Sequence, residues 1–211
     1  MMRYNHISIE GNIGAGKTSL ALRLAAQFNA RLILEQFEDN PFLPKFYQDP
    51  DKYAFPLELS FLASRFQQLK DQLPQQELFT SMTISDYFIY KSLIFARRTI
   101  RDDELMLFKR LFDLMASFLP KPDLLVYLHV DVDKLMNNIQ LRGREYEQEI
   151  RDSYLRGIQE NYFEFFRQYT GQRILIIDTN YIDFVALRED YDRLVEVISQ
   201  DYPREITRIV L

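Results

Sequence analysis

The amino-acid sequence predicts an α/β domain built on a five-stranded parallel sheet with helices on both faces. Three observations carry that prediction. Five short apolar runs alternate with longer segments whose apolar residues recur every three or four positions. Strands separated by helices need crossover connections, and crossovers make neighbouring strands parallel. The 211 residues suffice for one domain with a full hydrophobic core, and no Gly- or Ser-rich stretch suggests a linker. Residues 1–211 are therefore expected to form one unit.

Composition narrows the function classes. The 47% apolar and 27% charged fractions are ordinary for a globular protein in water. A net charge of -5 argues against a general nucleic-acid binder, which carries a basic surface. Without cysteine there are no disulfides and no thiolate metal sites. Met1–Glu10 lacks the apolar core of a signal peptide, and no run approaches the ~20 apolar residues of a membrane span. The expectation is a cytoplasmic protein with neither nucleic acid nor membrane as partner.

The first strand is Tyr4–Ile9. It leads into Gly11-Asn12-Ile13-Gly14-Ala15-Gly16-Lys17-Thr18, which fits G-x-x-x-x-G-K-[ST] throughout, and then into a helix over Ser19–Phe28. Strand, loop and helix in that order make a P-loop. Its glycines let backbone N–H groups converge on phosphate oxygens, and the helix N-terminus adds partial positive charge. Lys17 is expected to reach the β- and γ-phosphates of ATP, and Thr18 to hold Mg²⁺.

The second strand, Leu32–Glu35, ends in a carboxylate. Strand C-termini line the ligand crevice of an open α/β sheet, so Glu35 is placed to accept the proton of an attacking hydroxyl. A helix over Leu57–Leu73 follows, with Pro56 in its first turn and an apolar stripe of Leu59, Leu62, Phe66, Leu69 and Leu73. Glu58 and Arg65 share one face at the border of that stripe. The third strand, Ser81–Ser85, precedes Asp86, which either organises Mg²⁺ through water or caps a helix. Glu104–Leu119 is apolar on more than one side and is expected to bury two faces, one against the sheet and the other against a second subunit or neighbouring elements. Leu124–Val130 and Arg173–Ile177 complete the strands. Between them, Arg142 and Arg144 flank Gly143; two planar guanidinium forks on a segment able to move suit a lid over transferring phosphates. His6 and His129 are read as structural.

Several of these segments, in order, resemble the deoxynucleoside kinase family. They are Glu35, Asn40-Pro41-Phe42-Leu43, Phe46-Tyr47, Asp49-Pro50, Tyr53-Ala54-Phe55, Arg65, and Leu141-Arg142-Gly143-Arg144 followed by Glu147. The similarity spans about Tyr4 to Asp183. The resemblance implies a P-loop kinase fold with a helical lid at about residues 138–150, transfer of the γ-phosphoryl of ATP to a deoxynucleoside 5′-hydroxyl, and a homodimer. It also implies roles. Glu35 is the general base, and Tyr47 and Glu147 bind the sugar 3′-hydroxyl. Arg65 sits beside the base and the catalytic carboxylate. Glu58 stands where relatives usually carry a Gln that reads the base edge. Arg142 and Arg144 clamp the phosphates, and the loop from Thr179 through Asp183 to Phe184 packs on the donor adenine.

Two departures stand out. Relatives place an Arg after the acid at the end of the third strand, whereas Asp86 is followed by Tyr87; Lys91 is the candidate replacement charge. The lid has Asn138 where a third basic residue is usual. Substrate choice turns on Glu58. An ionised carboxylate only accepts hydrogen bonds, and guanine offers two adjacent donors, so purines are favoured with deoxyguanosine slightly ahead of deoxyadenosine. A nucleoside monophosphate kinase resembling thymidylate kinase and a non-catalytic nucleotide-binding switch are the rival readings. Glu35 argues against the first, whose acceptor is already ionised, and the arginine pair against the second.

Overall fold

The computed structural model describes residues 2–36, 40–74 and 82–211. Its sheet has six parallel strands in the order β2-β3-β1-β4-β5-β6. These are β1 (His6–Gly11), β2 (Arg31–Ile33), β3 (Thr83–Ser85), β4 (Leu124–His129), β5 (Ile174–Asp178) and β6 (Ile206–Val210). The helices are α1 (Lys17–Phe28), α2 (Leu43–Gln48), α3 (Pro50–Gln72), α4 (Lys91–Thr99), α5 (Asp102–Ala116), α6 (Val132–Arg142), α7 (Asp152–Gln168) and α8 (Arg188–Ile198).

Side-chain alternation along the strands builds two cores. Ile7 and Ile9 of β1, Leu124, Val126 and Leu128 of β4, and Leu175 and Ile177 of β5 pack with α1, α6 and α8. Leu125 and Tyr127 of β4 and Ile174 and Ile176 of β5 pack with α4 and α7. Strand β1 is unusual on that second face. Ser8 and Glu10 point there, buried and polar. Ser8 hydrogen-bonds Ser85 at 2.7 Å, and His6 joins them. Both histidines sit on strands within side-chain networks, His129 with Gln159 at 2.9 Å.

The chain leaves β1 toward β2 and β3 on one side and returns to β4, β5 and β6 on the other. This reversal opens a crevice at the strand C-termini beside β1, where ligands of open α/β sheets bind.

Two expectations need correction, the strand count and the third helix. A sixth strand, β6, pairs with β5 from Ile174↔Ile206 to Asp178↔Val210. It is an edge strand with Thr207 and Arg208 inside it, so no continuous apolar run marks it. Helix α3 begins at Pro50 behind the cap Asp49, so Pro56 lies inside the helix rather than in its first turn. Its buried face is Ala54, Leu57, Glu58, Phe61, Leu62, Arg65 and Leu69, which replaces Leu59 by Leu57 and Phe61 and puts the two charges at the centre. Helix α5 buries Phe108 and Phe112 against α3 and α4, while Met106, Leu107 and Leu114, with Phe118 just past its end, are exposed, which leaves its other face uncovered within the chain. Ser81, the expected first residue of the third strand, lies outside the described residues. No helix among the described residues is long and apolar enough to cross a membrane.

Phe108 has 0% exposure in the cluster that joins α3, α4 and α5. Phe108→Ala is expected to lower unfolding stability by about 3–5 kcal/mol, the range for emptying a packed aromatic site, as read from urea denaturation midpoints.

Candidate functional site

The P-loop sits where β1 ends. Gly14 and Gly16 both have φ +84, a left-handed conformation that side chains rarely adopt. Neither has room for one: a Cβ at Gly14 would lie 2.9 Å from the Leu135 carbonyl oxygen of α6, and at Gly16 2.7 Å from the Phe184 ring. Asn138 completes the contact by donating to the Gly14 carbonyl at 2.9 Å. Where a basic residue was expected, Asn138 makes a clasp between α6 and the phosphate loop. Asn12 anchors the other side, donating from its side chain to the Leu155 carbonyl at 2.8 Å.

Lys17 donates to the Asn12 carbonyl at 2.9 Å. Burial, then Lys91, lower its pKa to about 8, against the pull of Glu10, Glu35 and Asp86. An anionic phosphate in the loop would restore the proton's hold. Thr18 donates to Asp86 Oδ2 at 2.6 Å, and the Glu35 backbone N–H donates to Asp86 Oδ1 at 2.7 Å. Asp86 therefore joins the P-loop to the end of β2.

Glu35 is doubly clamped. Arg65 Nε donates to its Oε1 at 2.7 Å, with Nη2 at 2.6 Å, and the Lys91 ammonium pairs with its Oε2. Burial alone would raise the carboxyl, but Lys91 and Arg65 together outweigh it and hold the pKa at about 2. Arg65 also donates to Ser92 Oγ at 2.7 Å and lies over the Phe61 ring. So the cation absent after Asp86 is supplied by Lys91, the first residue of α4.

Glu35, Asp86, Lys17, Thr18 and the rest of the loop from Gly14 line one cleft of about 1200 Å³, which also reaches Arg142, Arg144 and Asp183. That exceeds the volume usual for one small ligand. On its far wall, Asp183 accepts from the backbone N–H groups of Val185 and Ala186 at 3.1 and 2.9 Å, and Lys134 donates to the carbonyls of Thr179, Asn180 and Ile182. The lid arginines converge on Glu147: Arg142 pairs with its Oε2 and Arg144 lies 3.3 Å from Oε1. Helix α2, which carries Tyr47, packs on the turn that carries Glu147. Glu58 and Arg65 are buried behind the cleft between α3 and α4, at 3% and 4% exposure.

Sequence reading passed over Glu10. This buried carboxylate accepts from Tyr162 at 2.7 Å and from the Phe88 N–H at 2.9 Å. Burial raises its pKa, while Lys91 and Lys17 pull the other way. A charged residue closing an apolar strand against a P-loop was the available signal. Ser92, Thr99 and Lys134 carried none.

A family model described as deoxynucleoside kinase matches residues 7–202. The chain belongs to the deoxynucleoside kinase family. It is 36% identical over 198 residues to a deoxyguanosine kinase of Bacillus subtilis, covering 92% of this chain and 96% of that protein. It is 33% identical over 204 residues to a deoxyadenosine kinase of Dictyostelium discoideum, covering 93% and 79%. The fold is that of a deoxyadenosine kinase from M. mycoides solved with bound dATP, with TM-score 0.78 at 21% identity over 92% of this chain and 99% of that one. As a deoxynucleoside kinase the chain is a phosphotransferase with ATP as donor.

The clamp on Glu35 is open to measurement. Lys91→Met removes one of its two cations and leaves the burial that favours the neutral acid. The Glu35 carboxyl should then titrate above about 2, by more than one unit, in a ¹³C-carboxyl NMR titration. An unchanged midpoint would mean that Arg65 alone sets it.

Proposed function

We propose that this kinase transfers the γ-phosphoryl group of ATP to the 5′-hydroxyl of a purine deoxynucleoside, with Mg²⁺, as a cytoplasmic homodimer in nucleotide salvage. The observation that carries the chemistry is the Asp86 bridge. One carboxylate holds both the P-loop hydroxyl of Thr18 and the backbone of Glu35, so donor site and acceptor base share one cleft. The purine preference draws on the kinship with deoxyguanosine and deoxyadenosine kinases.

In this reading the 5′-hydroxyl donates a hydrogen bond to a free lone pair of Glu35. Its oxygen attacks the γ-phosphorus, the bond to the β-γ bridging oxygen breaks, and the proton passes to Glu35 as ADP leaves. A carboxylate with a pKa of about 2 is a weak base. That is sufficient, because phosphoryl transfer runs through a loose transition state and needs positioning and charge more than early deprotonation. Arg65 and Lys91 keep Glu35 ionised and aimed. Main-chain N–H groups from Gly11 to Thr18 and the Lys17 ammonium cradle the donor phosphates, and Arg142 and Arg144 are the lid's charges for the moving phosphoryl. Tyr47 and Glu147 serve the sugar 3′-hydroxyl, and the Asp183 loop covers the donor adenine.

Thr18 Oγ1 and Asp86 Oδ2, 2.6 Å apart beside the loop, are hard oxygen donors of the kind Mg²⁺ takes while keeping several waters. No group of three or more His, Cys, Asp or Glu among the described residues offers a dedicated cage. The residues fit an ion held mainly by phosphate oxygens, which would neutralise charge on the β- and γ-phosphates. The exposed face of α5 and the turn after it, with Leu114 at 65% and Phe118 at 69% exposure, is the surface for self-association.

ADP release from ATP and Mg²⁺ is expected to depend on an added deoxynucleoside. Hydrolysis indifferent to nucleoside, or activity only with monophosphates, overturns the reading. Glu35→Gln should lower kcat by ~10²-fold or more while calorimetry shows deoxynucleoside binding retained. Leu114→Asp should convert a dimer to a monomer in sedimentation velocity; an unchanged mass removes α5 from the interface.

A further inference from the structure

Resting on the kinase reading, with Glu35 as the base, the carboxylate has to be aimed as well as charged. Arg65 and Lys91 hold the tip of its side chain. The root is held separately, by side chains with no part in the chemistry described so far.

The pairing of β2 with β3 ends at Ile33↔Ser85, followed by one bond from the Asp86 N–H to the Ile33 carbonyl at 3.1 Å. Leu34 and Glu35 lie beyond that point, on the wall of the cleft. The peptide that joins them is gripped on both edges. Its N–H, that of Glu35, donates to Asp86 Oδ1 at 2.7 Å. Its carbonyl, that of Leu34, accepts from Gln68 Nε2 at 2.9 Å. The two groups point opposite ways across one planar unit, so two opposed bonds fix its tilt. Tilting the plane would turn φ of Glu35 and swing the bond from Cα to Cβ.

Gln68 is itself locked. A carbonyl only accepts, so the Gln68 nitrogen must face Leu34 and its oxygen must face away. That oxygen accepts from the Tyr87 hydroxyl at 2.6 Å. Tyr87 has 0% exposure, and its ring is packed in the cluster with Ile33, Leu62, Leu69 and Phe108. A ring packed in this way gives its hydroxyl a fixed place. Asp86 and Tyr87 are consecutive. Both arms of the grip therefore start from one short stretch after β3, Asp86 directly and Tyr87 through Gln68. Gln68 also lies three residues after Arg65 on α3, so one side of that helix holds both the tip and the root of Glu35.

We propose that Tyr87 and Gln68 are positioning residues that aim the Glu35 carboxylate at the acceptor hydroxyl, acting through the peptide between Leu34 and Glu35. Tyr87 stands at the position after the acid where relatives place an arginine. Lys91 supplies the charge that such an arginine would bring, and Tyr87 supplies orientation. A misplacement of about 1 Å at a reacting group costs up to ~10²-fold in rate, so a hydroxyl remote from the substrate can matter to turnover.

The test compares Tyr87→Phe, which keeps the ring and removes only the hydroxyl, in two backgrounds. In wild type it should lower kcat by roughly tenfold or more, with KM for ATP and calorimetric deoxynucleoside affinity retained. In Glu35→Gln, where no proton acceptor is left to aim, the same substitution should cost little further. Gln68→Leu breaks both bonds of the relay, so it should lose at least as much and show no added loss when combined with Tyr87→Phe. Hydrogen exchange followed by NMR reads the grip apart from turnover: the Glu35 amide should exchange faster in Tyr87→Phe than in wild type. An unchanged kcat in Tyr87→Phe, a loss by the same factor in both backgrounds, or a Glu35 amide that exchanges no faster overturns the inference and leaves the kinase reading standing. Full turnover in Glu35→Gln itself removes the base and overturns both.

Discussion

The Asp86 carboxylate is the joint on which the site depends. Its two oxygens are shared between Thr18, on the first helix, and the backbone of Glu35, at the end of a strand two places away in the sheet. The P-loop by itself is a phosphate cradle found on proteins of many functions. Fixing a second carboxylate at a set distance from that cradle supports the proposed transfer to a hydroxyl. The parallel sheet makes the joint possible, because β1, β2 and β3 all deliver their C-terminal ends to the same edge.

Charge is layered outward from this joint. Glu10, Lys17, Glu35 and Arg65 lie near enough to shift one another, and the Lys91 charge acts on the first three. Buried ions persist only when paired and hydrogen-bonded. Here Glu35 is paired twice. Arg65 adds Ser92 and the Phe61 face, and Glu10 is held by Tyr162 and a backbone N–H. The acceptor side is thereby rigid before any substrate arrives, which is what positioning chemistry requires.

How much of this was legible in the sequence depends on how local each feature is. The P-loop was readable in full because its residues are contiguous and its context is strand and helix. Glu35 was readable because it follows an apolar strand, although it lies two residues past the end of β2 rather than within it. The burial of Glu58 and Arg65 was not, because periodicity treats charge as a reason for exposure, and their partners Ser92 and Thr99 lie on α4, far along the chain. Pro56 misled for a similar reason: it resembles a helix start, whereas Asp49 and Pro50 supply the real one. Strand β6 was hidden by its edge position, which leaves alternate residues in water and breaks the apolar run. The compensation by Lys91 for a missing arginine was visible as a possibility and became definite only once α4 was seen to aim it at Glu35.

The pairing of both lid arginines with Glu147 has a consequence for anion discrimination. A small monovalent ion drifting into the cleft meets guanidinium groups already satisfied by a carboxylate that is 7% exposed. Chloride or a single inorganic phosphate has little to offer in exchange. On the proposed reading, a polyphosphate chain held at its far end by the loop would bring its terminal group to the arginines at high effective concentration, and so would compete where free ions do not. On that reading the internal ion pair would act as a threshold that filters anions by tethering rather than by shape.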